Sequence, residues 1–265
     1  MRNLQLTLLF ACLAAGQEPA SPPAGSPPLV NSGQPIVVPF RCSDADISWA
    51  GMVCSARDPC PAYLELSAAE SAGDRVFAAG NIHTTAVTLY SALLASDDAG
   101  RTWREAHERF RGAALDRIQL LGTENGWIGG QALSPLVQDP FLLISADAGK
   151  SWRRQPVFGE SRVGSILQFH FSDKSEGWLL FDRGRGAGSG RYERYESHDG
   201  GASWTLKEES DSLPPLKDAP APADWRVRAD GPTRSYHIER RSGDRWNSLA
   251  AFAVNLGDCK TAEPE

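Results

Sequence analysis

A frame of four residues, Ser-x-Asp-x-Gly-x-x-Trp, occurs three times in this chain of 265 residues. The complete matches are Ser96, Asp98, Gly100 and Trp103; Ser145, Asp147, Gly149 and Trp152; and Ser197, Asp199, Gly201 and Trp204. Their tryptophans lie 49 and 52 residues apart, and a weaker copy, RRSGDRWNSL, places Trp246 a further 42 residues on. A period of this length predicts a fold assembled by repeating one structural unit.

Each unit reads as four short strands in the same order. In the second unit these are DRIQLLG (116–122), GWIGG (126–130), PFLLIS (140–145) and WRRQPVF (152–158), and in the fourth unit an innermost strand is not clear. Four strands per period of about 50 residues are typical of a β-propeller blade. We therefore predict an all-β propeller of four-stranded antiparallel blades. Four blades are visible and the length allows about five, with residues 36–61 helping the C-terminal segment to complete the ring.

The residue types of the frame suit a turn better than a catalytic centre. Aspartate and serine side chains can accept hydrogen bonds from the N–H groups of their own turn, and glycine permits positive φ. Tryptophan supplies a large apolar surface at the start of the next strand. One frame per blade also spreads the aspartates around a rim, whereas acid–base carboxyl pairs lie roughly 5–10 Å apart. The frames are thus expected to be structural.

The start of the sequence predicts export. Residues 1–16 have the layout of a signal peptide, with an apolar stretch that is shorter than the about 20 residues a spanning helix needs, and no later segment is apolar enough to span. An alternative is lipid attachment at Cys12, since LFAC weakly resembles a bacterial lipobox. Residues 17–35 are rich in proline, serine and glycine and predict a flexible linker. The propeller domain is then expected at 36–260, followed by a tail at 261–265.

Charge and cysteine usage agree with an exported protein. The net charge of −6 provides no global basic field for nucleic acid or an anionic membrane. After cleavage Cys42, Cys54, Cys60 and Cys259 remain, and an even number predicts two disulfides of undetermined pairing. Their spacing does not suit a zinc site.

The frame resembles the Asp-box, or BNR repeat, found in sialidases, glucan hydrolases, sortilin-type receptors and the photosystem II stability/assembly factor family. Strands containing Gly126–Trp127 and Gly177–Trp178, each followed by an Asp-box hairpin, most resemble the last of these groups. The resemblance covers residues 62–247. It implies an exported, non-enzymatic propeller that acts as a binding scaffold and needs no cofactor.

The loops opposite the frames carry the candidate binding residues. In a four-stranded blade, the loops between strands two and three and between blades share the face opposite the frames. The loop 182–191 is glycine-rich and basic, so Arg183, Arg185, Arg191 and the nearby Arg194 are candidates for gripping a carboxylate-bearing partner, as is His83 beside another such loop. A solvated hairpin is the alternative for this loop. Five more arginines lie on strand ends and connections assigned to this face, so a composite basic patch is conceivable: Arg104, Arg109, Arg111, Arg117 and Arg162.

These features favour a periplasmic or extracellular scaffold that binds a protein or glycan through the loop-rich face. The five histidines show no metal-ligand spacing, and no nucleophile or phosphate-loop motif is present. Two other hypotheses remain: a sialidase-like glycoside hydrolase, although the Arg-Ile-Pro segment typical of sialidases is missing, and a structural envelope protein without a specific ligand.

Overall fold

The computed structural model describes residues 27–134, 136–215 and 224–261, and the regular secondary structure of this part is almost all β-strand. In chain order the elements are β1 (Leu29–Val30), α1 (Asp44–Trp49), β2 (Cys60–Ala72), β3 (Arg75–His83), β4 (Thr88–Ser96), β5 (Thr102–Glu105), β6 (Ala113–Leu121), β7 (Asn125–Ala132), β8 (Gln138–Ser145), β9 (Arg153–Pro156), β10 (Ser165–Phe171), β11 (Gly177–Asp182), β12 (Tyr192–Ser197), β13 (Thr205–Ser210), β14 (Trp225–Asp230), β15 (Ser235–Ser242), β16 (Arg245–Ala253) and β17 (Asn255–Cys259).

The strands form four antiparallel sheets, one for each repeat unit. The first sheet consists of β2–β5, with β17 beside β2 and β1 beside β5; the second is β6–β9, the third β10–β13 and the fourth β14–β16. The three complete frames form the turns from β4 to β5, from β8 to β9 and from β12 to β13. The predicted all-β propeller with four visible blades is therefore confirmed.

Alternation of apolar side chains along each strand lets the sheets pack face to face. In β3, Val76 and Ala78 join the core shared with the fourth sheet, whereas Phe77 and Ala79 join the core shared with the second sheet. A third core lies between the second and third sheets and includes Trp127. The order in space is accordingly fourth, first, second, third. Continuous burial between neighbouring sheets is the main source of stability in such an array.

The first strand of each of the first three sheets is interrupted by a β-bulge at a corresponding place. The register shifts between Leu66 and Ala68 in β2, between Leu115 and Arg117 in β6, and between Ile166 and Gln168 in β10. A bulge leaves one residue outside the ladder and bends the strand. In β6 that residue is Asp116.

The fourth unit differs from the other three. It comprises three strands, and the unclear innermost strand is not found among the described residues. On its outer side Ile36 forms a parallel bridge with Phe252, and hydrogen bonds join Ile36 to Ala251 and Ala253 at 2.8 and 2.9 Å. Residues 36–61 thus add to the edge of the fourth sheet and contain α1, and the described ranges hold no fifth sheet.

The ordered fold begins before the predicted boundary at Ile36. Leu29 and Val30 pair with Trp103 and Thr102, and the Asn31 amide donates to the carbonyls of Gly100 and Leu249 at 3.0 and 2.9 Å. Residues 29–31 of the predicted linker thus join the edge of the first sheet, since a two-residue edge strand needs little more than backbone pairing. The rest of the predicted linker up to residue 26, the signal peptide, Cys12 and residues 262–265 lie outside the described residues.

Two disulfides are present, as predicted. Cys42 pairs with Cys259 across 217 residues of sequence, and Cys54 pairs with Cys60. Disulfides are typical of an oxidising, extracytoplasmic location. Within the described residues, none of the helical structure is long and apolar enough to cross a bilayer.

Candidate functional site

The three frame turns use their polar groups internally. In the first turn the Asp98 carboxylate accepts from the backbone N–H of Thr102 at 2.8 Å and from its hydroxyl at 2.7 Å, while Ser96 Oγ accepts from Gly100 N at 2.8 Å. These bonds, led by that of the Thr102 N–H, lower the pKa of Asp98 to about 2. The bonds from the Ser203 hydroxyl and N–H do the same for Asp199. The carboxylates of Asp98 and Asp199 are therefore ionised near neutral pH and engaged within their own turns, which leaves them unsuited to proton transfer.

The predicted basic loop is largely self-paired. Arg191 donates to both oxygens of Asp182 at 2.8 and 2.7 Å, and this pairing lowers the pKa of Asp182. Arg183 approaches Glu193 at 3.5 Å and directs its Nη1 atom towards the carbonyls of Ser189 and Gly190. Of the three loop arginines, Arg185 alone is exposed, at the tip, with no hydrogen-bond partner among the described residues. A bidentate clamp on a partner would first have to break these internal pairs.

The other predicted contacts lie apart from this loop. Arg194 is on β12, close to Glu196 and over the ring of Trp178 at 5.8 Å, so it faces the side of the third sheet. His83 ends β3 in the first sheet, where its Nδ1 donates to the Thr84 carbonyl at 2.8 Å. The structure therefore does not bring His83 and the arginines together.

Four of the five arginines predicted to form the composite basic patch are paired with carboxylates of the same chain. Arg104 pairs with Asp97 on the frame side, while Arg109, Arg111 and Arg162 pair with Glu105, Asp46 and Glu193. Each of these cations is neutralised by a nearby carboxylate, so they do not sum to a free anion-binding surface.

A buried cluster in the third sheet combines the residue types of a glycosidase nucleophile. The Tyr195 hydroxyl donates to Glu193 at 2.6 Å, and Arg162 donates to Tyr195 at 2.6 Å and to Glu193 at 2.9 and 3.0 Å. However, Tyr195 and Glu193 are only 5% and 3% exposed. Burial, assisted by the Glu193 hydrogen bond, raises the pKa of Tyr195 to about 12, which opposes its use as a nucleophile. The cluster ties the connection after β9 to the third sheet.

The loop-rich face carries a groove of about 630 Å³ between α1 and two loops, lined mainly by apolar side chains. We call it the α1 groove; it is lined by Trp49, Ala50, Gly51, Met52, Val53, Cys60, Thr84, Thr85, Ala86, Val87, Leu133 and Ser134. Val53 is 93% exposed and Trp49 is 42% exposed. Further exposed apolar residues lie on the adjoining loops, namely Leu136, Val137 and Val163. The groove lining contains no carboxylate.

The wall of the α1 groove is held rigidly. Ser43 and Asp46 form a capping box at the start of α1, and the buried Asp46 also accepts from Tyr90 and from Arg111 at 3.2 Å. Trp49 packs on Gly112, where an added methyl group would come within 2.8 Å of the indole ring. The two disulfides bracket the same segment. The apolar surface is therefore fixed in position before any ligand arrives.

Sequence reasoning missed the α1 groove and the Tyr195–Glu193–Arg162 cluster. The available signal for the groove was ISWAGMVC, residues 47–54, an apolar segment that lacks the two-residue alternation of a strand. The cluster had no local signal, because its members come from two segments about 30 residues apart.

The fold places this chain in the β-propeller class, and comparisons do not narrow it to a family. No protein-family profile matches the chain, and no curated protein sequence matches it significantly.

Several solved structures resemble the chain at low identity. The GH74 xyloglucanase from Xanthomonas campestris is 19% identical, with a TM-score of 0.37, over 50% of this chain and 18% of that one. YCF48 bound to a D1 peptide is 16% identical, with a TM-score of 0.38, over 74% and 55%. The Penicillium chrysogenum α-L-arabinanase, complexed with arabinobiose, is 14% identical, with a TM-score of 0.41, over 84% and 66%. The chain thus matches from 18% to 66% of the length of these proteins. They include enzymes as well as a peptide complex, so the likeness does not assign an activity.

Proposed function

We propose that this protein is an exported, non-enzymatic β-propeller that binds a partner protein through its loop-rich face. The observation that carries the proposal is the α1 groove, a preformed apolar surface on the face opposite the frame turns. Exposed apolar surface of this kind marks interaction sites in soluble proteins, and aromatic residues dominate the energetics of protein interfaces.

The partner we expect is a protein segment with large apolar side chains. Trp49 and Val53 offer an anchor of the type that pairs with leucine or aromatic residues, and Arg111 stacks over Trp49 at 5.6 Å at the rim. A glycan would need more polar hydrogen-bonding groups than the groove lining supplies. The rigid wall reduces the entropy that binding has to overcome.

The hydrogen bonds of the three frame turns and their place in the first three sheets support our interpretation of the frames as Asp-box repeats. Their likeness to assembly-factor propellers agrees with a scaffold function. The two disulfides support export through the predicted signal peptide, with release into the periplasm or the extracellular space. Lipid attachment at Cys12 remains the alternative form of export.

The proposal can be tested by photo-crosslinking in cells that make the protein naturally. A benzophenone amino acid at Val53 should trap one defined partner, whereas the same group at Lys150, exposed on the opposite face, should not. With that partner purified, Trp49→Ala and Val53→Asp should each weaken binding at least tenfold. Leu206→Asp, which alters an exposed apolar residue on β13, is the matched control and should leave affinity unchanged. Trapping from Lys150 alone, or unchanged affinity in both groove variants, would refute the proposal.

The loop arginines need a separate variant. Replacing Arg183 and Arg191 removes internal ion pairs and would disturb the loop itself, so Arg185→Ala is the interpretable change. Loss of affinity in this variant would extend the binding surface to the third sheet.

The glycoside hydrolase alternative is supported only by the Tyr195–Glu193–Arg162 cluster. A panel of fluorogenic glycosides tests it directly. Turnover that disappears in Tyr195→Phe, with the fold intact by circular dichroism, would overturn the non-enzymatic proposal.

A further inference from the structure

One aromatic position recurs in the second strand of each of the first three sheets. In each of these sheets the frame serine pairs with a residue of the second strand, and the aromatic residue comes directly after that pairing partner. These aromatic residues are Phe77, Trp127 and Trp178. In two sheets the frame turn of the following sheet covers this ring. A methyl group added to Gly149 would lie 2.3 Å from Phe77, and the Trp127 indole donates to the carbonyl of Gly200 at 2.9 Å. Phe77 and Trp127 are each 1% exposed as a result.

In the third sheet no described turn occupies the corresponding place. Trp178, 9% exposed, borders a cavity of about 230 Å³. We call it the Trp178 cavity; its lining is His170, Ser172, Glu176, Gly177, Trp178, Glu196 and His198. The Nδ1 atom of His170 is buried without a hydrogen-bond partner in the described structure. The third sheet therefore lacks the covering turn found on the first two sheets, and the Arg194 side chain lies over the Trp178 ring instead.

The fourth sheet carries a shorter turn at the corresponding place, where only Gly243 and Asp244 join β15 to β16, whereas five to seven residues form each frame turn. The glycines of the three frame turns, Gly100, Gly149 and Gly201, are buried against the preceding sheet. Gly243, which holds the same offset from Trp246, is exposed, and a methyl group added there would meet no atom within 4 Å. The space beside Gly243 is thus open, whereas the frame glycines face a neighbouring sheet.

We propose that the Trp178 cavity of one molecule accepts the Gly243 turn of a second copy, which gives a head-to-tail assembly. The remaining charges favour this contact: Glu196 of the cavity already lies near Arg194 and Lys207, at 3.8 and 3.5 Å, which leaves Glu176 for the turn. The turn carries three exposed arginines, Arg240, Arg241 and Arg245, beside one aspartate, Asp244. Glu176 contacts the exposed His198 at 2.6 Å and has no arginine or lysine within 4 Å among the described residues, so an arginine from the second copy adds a favourable contact. The two surfaces differ, so the contact is heterologous and each copy keeps one free end.

Sedimentation velocity of the full mature protein at increasing concentration tests this assembly. The wild type should form concentration-dependent dimers and larger species. Gly243→Asn should block the turn, since asparagine tolerates a positive φ such as the +60° found there and adds bulk at the contact. Glu176→Arg should block the cavity. Each variant alone should be monomeric, because it lacks one half of the contact.

An equimolar mixture of the two variants gives the decisive result. One molecule retains a working cavity and the other a working turn, so the mixture should form heterodimers and nothing larger. Glu124→Arg, on the corresponding turn of the second sheet, is the control and should assemble like the wild type. A monomeric wild type, a mixture that stays monomeric, or variants that still self-associate would each overturn the proposal. The outcome does not depend on the α1 groove, which lies on the loop-rich face.

Discussion

The bulged residue Asp116 offers a sharp test of how this structure depends on pH. Its Oδ1 atom and the Oε1 atom of Gln131 are buried without hydrogen-bond partners among the described residues. The Gln131 amide approaches the other carboxyl oxygen at 3.4 Å, and Phe169 of the third sheet closes the same space. Burial raises the pKa of Asp116 from 3.8 to about 6, and the nearby Arg117 offsets only part of the effect.

The direction of the effect follows from this raised pKa. The protonated carboxyl is favoured in the folded state, so its contribution to stability is fully present below pH 3.8 and is lost as the pH rises through 6. One pKa unit corresponds to about 1.4 kcal/mol. With a pKa of 3.8 in the unfolded state and about 6 in the folded state, the free energy of unfolding falls by about 2 kcal/mol between pH 4.5 and 7.5. Asp116→Asn keeps the shape, does not ionise and can donate to Gln131. The free energy of unfolding of the variant, relative to wild type, should therefore rise by about 2 kcal/mol over the same pH interval.

The measurement is urea unfolding of oxidised protein at the two pH values, followed by tryptophan fluorescence. Asp258→Asn, at an exposed aspartate in β17, is the matched control and should show no pH-dependent difference. An Asp116→Asn effect that is equal at both pH values, or a variant that is less stable than wild type at pH 7.5, would refute the assignment of Asp116 as a buried, protonatable acid.

Three further predictions concern the packing of the repeat units. Removing the long-range bridge with Cys42→Ser and Cys259→Ser should lower the free energy of unfolding by about 3–5 kcal/mol, because the bridge closes a loop across 217 residues; a change below about 1 kcal/mol in urea unfolding would contradict this. Gly149→Ala should lower the free energy of unfolding by about 2–4 kcal/mol, since the new methyl group would lie 2.3 Å from Phe77. Gly122→Ala, where only the positive φ is unfavourable, should lower it by about 1 kcal/mol. Equal losses in thermal unfolding would argue against the turn as a packing element. Asp98→Ala should lower the free energy of unfolding by about 1–2 kcal/mol at pH 7. This effect should fade as the pH falls from about 4 towards 2, because the pKa of Asp98 in the folded state is about 2. Persistence of the full effect at pH 2 would show that the carboxylate hydrogen bonds are not its source.

The fold could be predicted because its main signals are local and repeated. The serine, aspartate, glycine and tryptophan of each frame act within one turn, so their spacing reports the structure directly. The alternation that places Phe77 on one side of a sheet and Val76 on the other is visible in the sequence as well. The short pairing of Leu29 and Val30 with β5 was not predicted, because an edge strand depends on a partner more than 70 residues away.

The candidate site was predicted less well, because charge in a sequence does not reveal pairing in space. Arg191 and Arg183 looked like a clamp for a partner, but Asp182 and Glu193 already satisfy them. The α1 groove depends on a helix, two loops and two disulfides that meet only in three dimensions. Its location agrees with the prediction, made from the order of strands in a blade, that binding residues lie on the loop-rich face. Its apolar character could not be predicted from the arginines that made this face a candidate.

The long-range disulfide also imposes an order on oxidative folding. A ribosome delivers Cys42, Cys54 and Cys60 some 200 residues before Cys259, and Ile36 has to wait equally long for its bridge partner Phe252. During that interval three thiols compete for the short pairing that only Cys54 and Cys60 should make. Early coupling of Cys42 to either of them would have to be undone by thiol–disulfide exchange before the sheets could lock. Efficient maturation of this chain therefore calls for a disulfide isomerase as well as an oxidant, and the pairing of Cys42 becomes correct only after Cys259 has been synthesised.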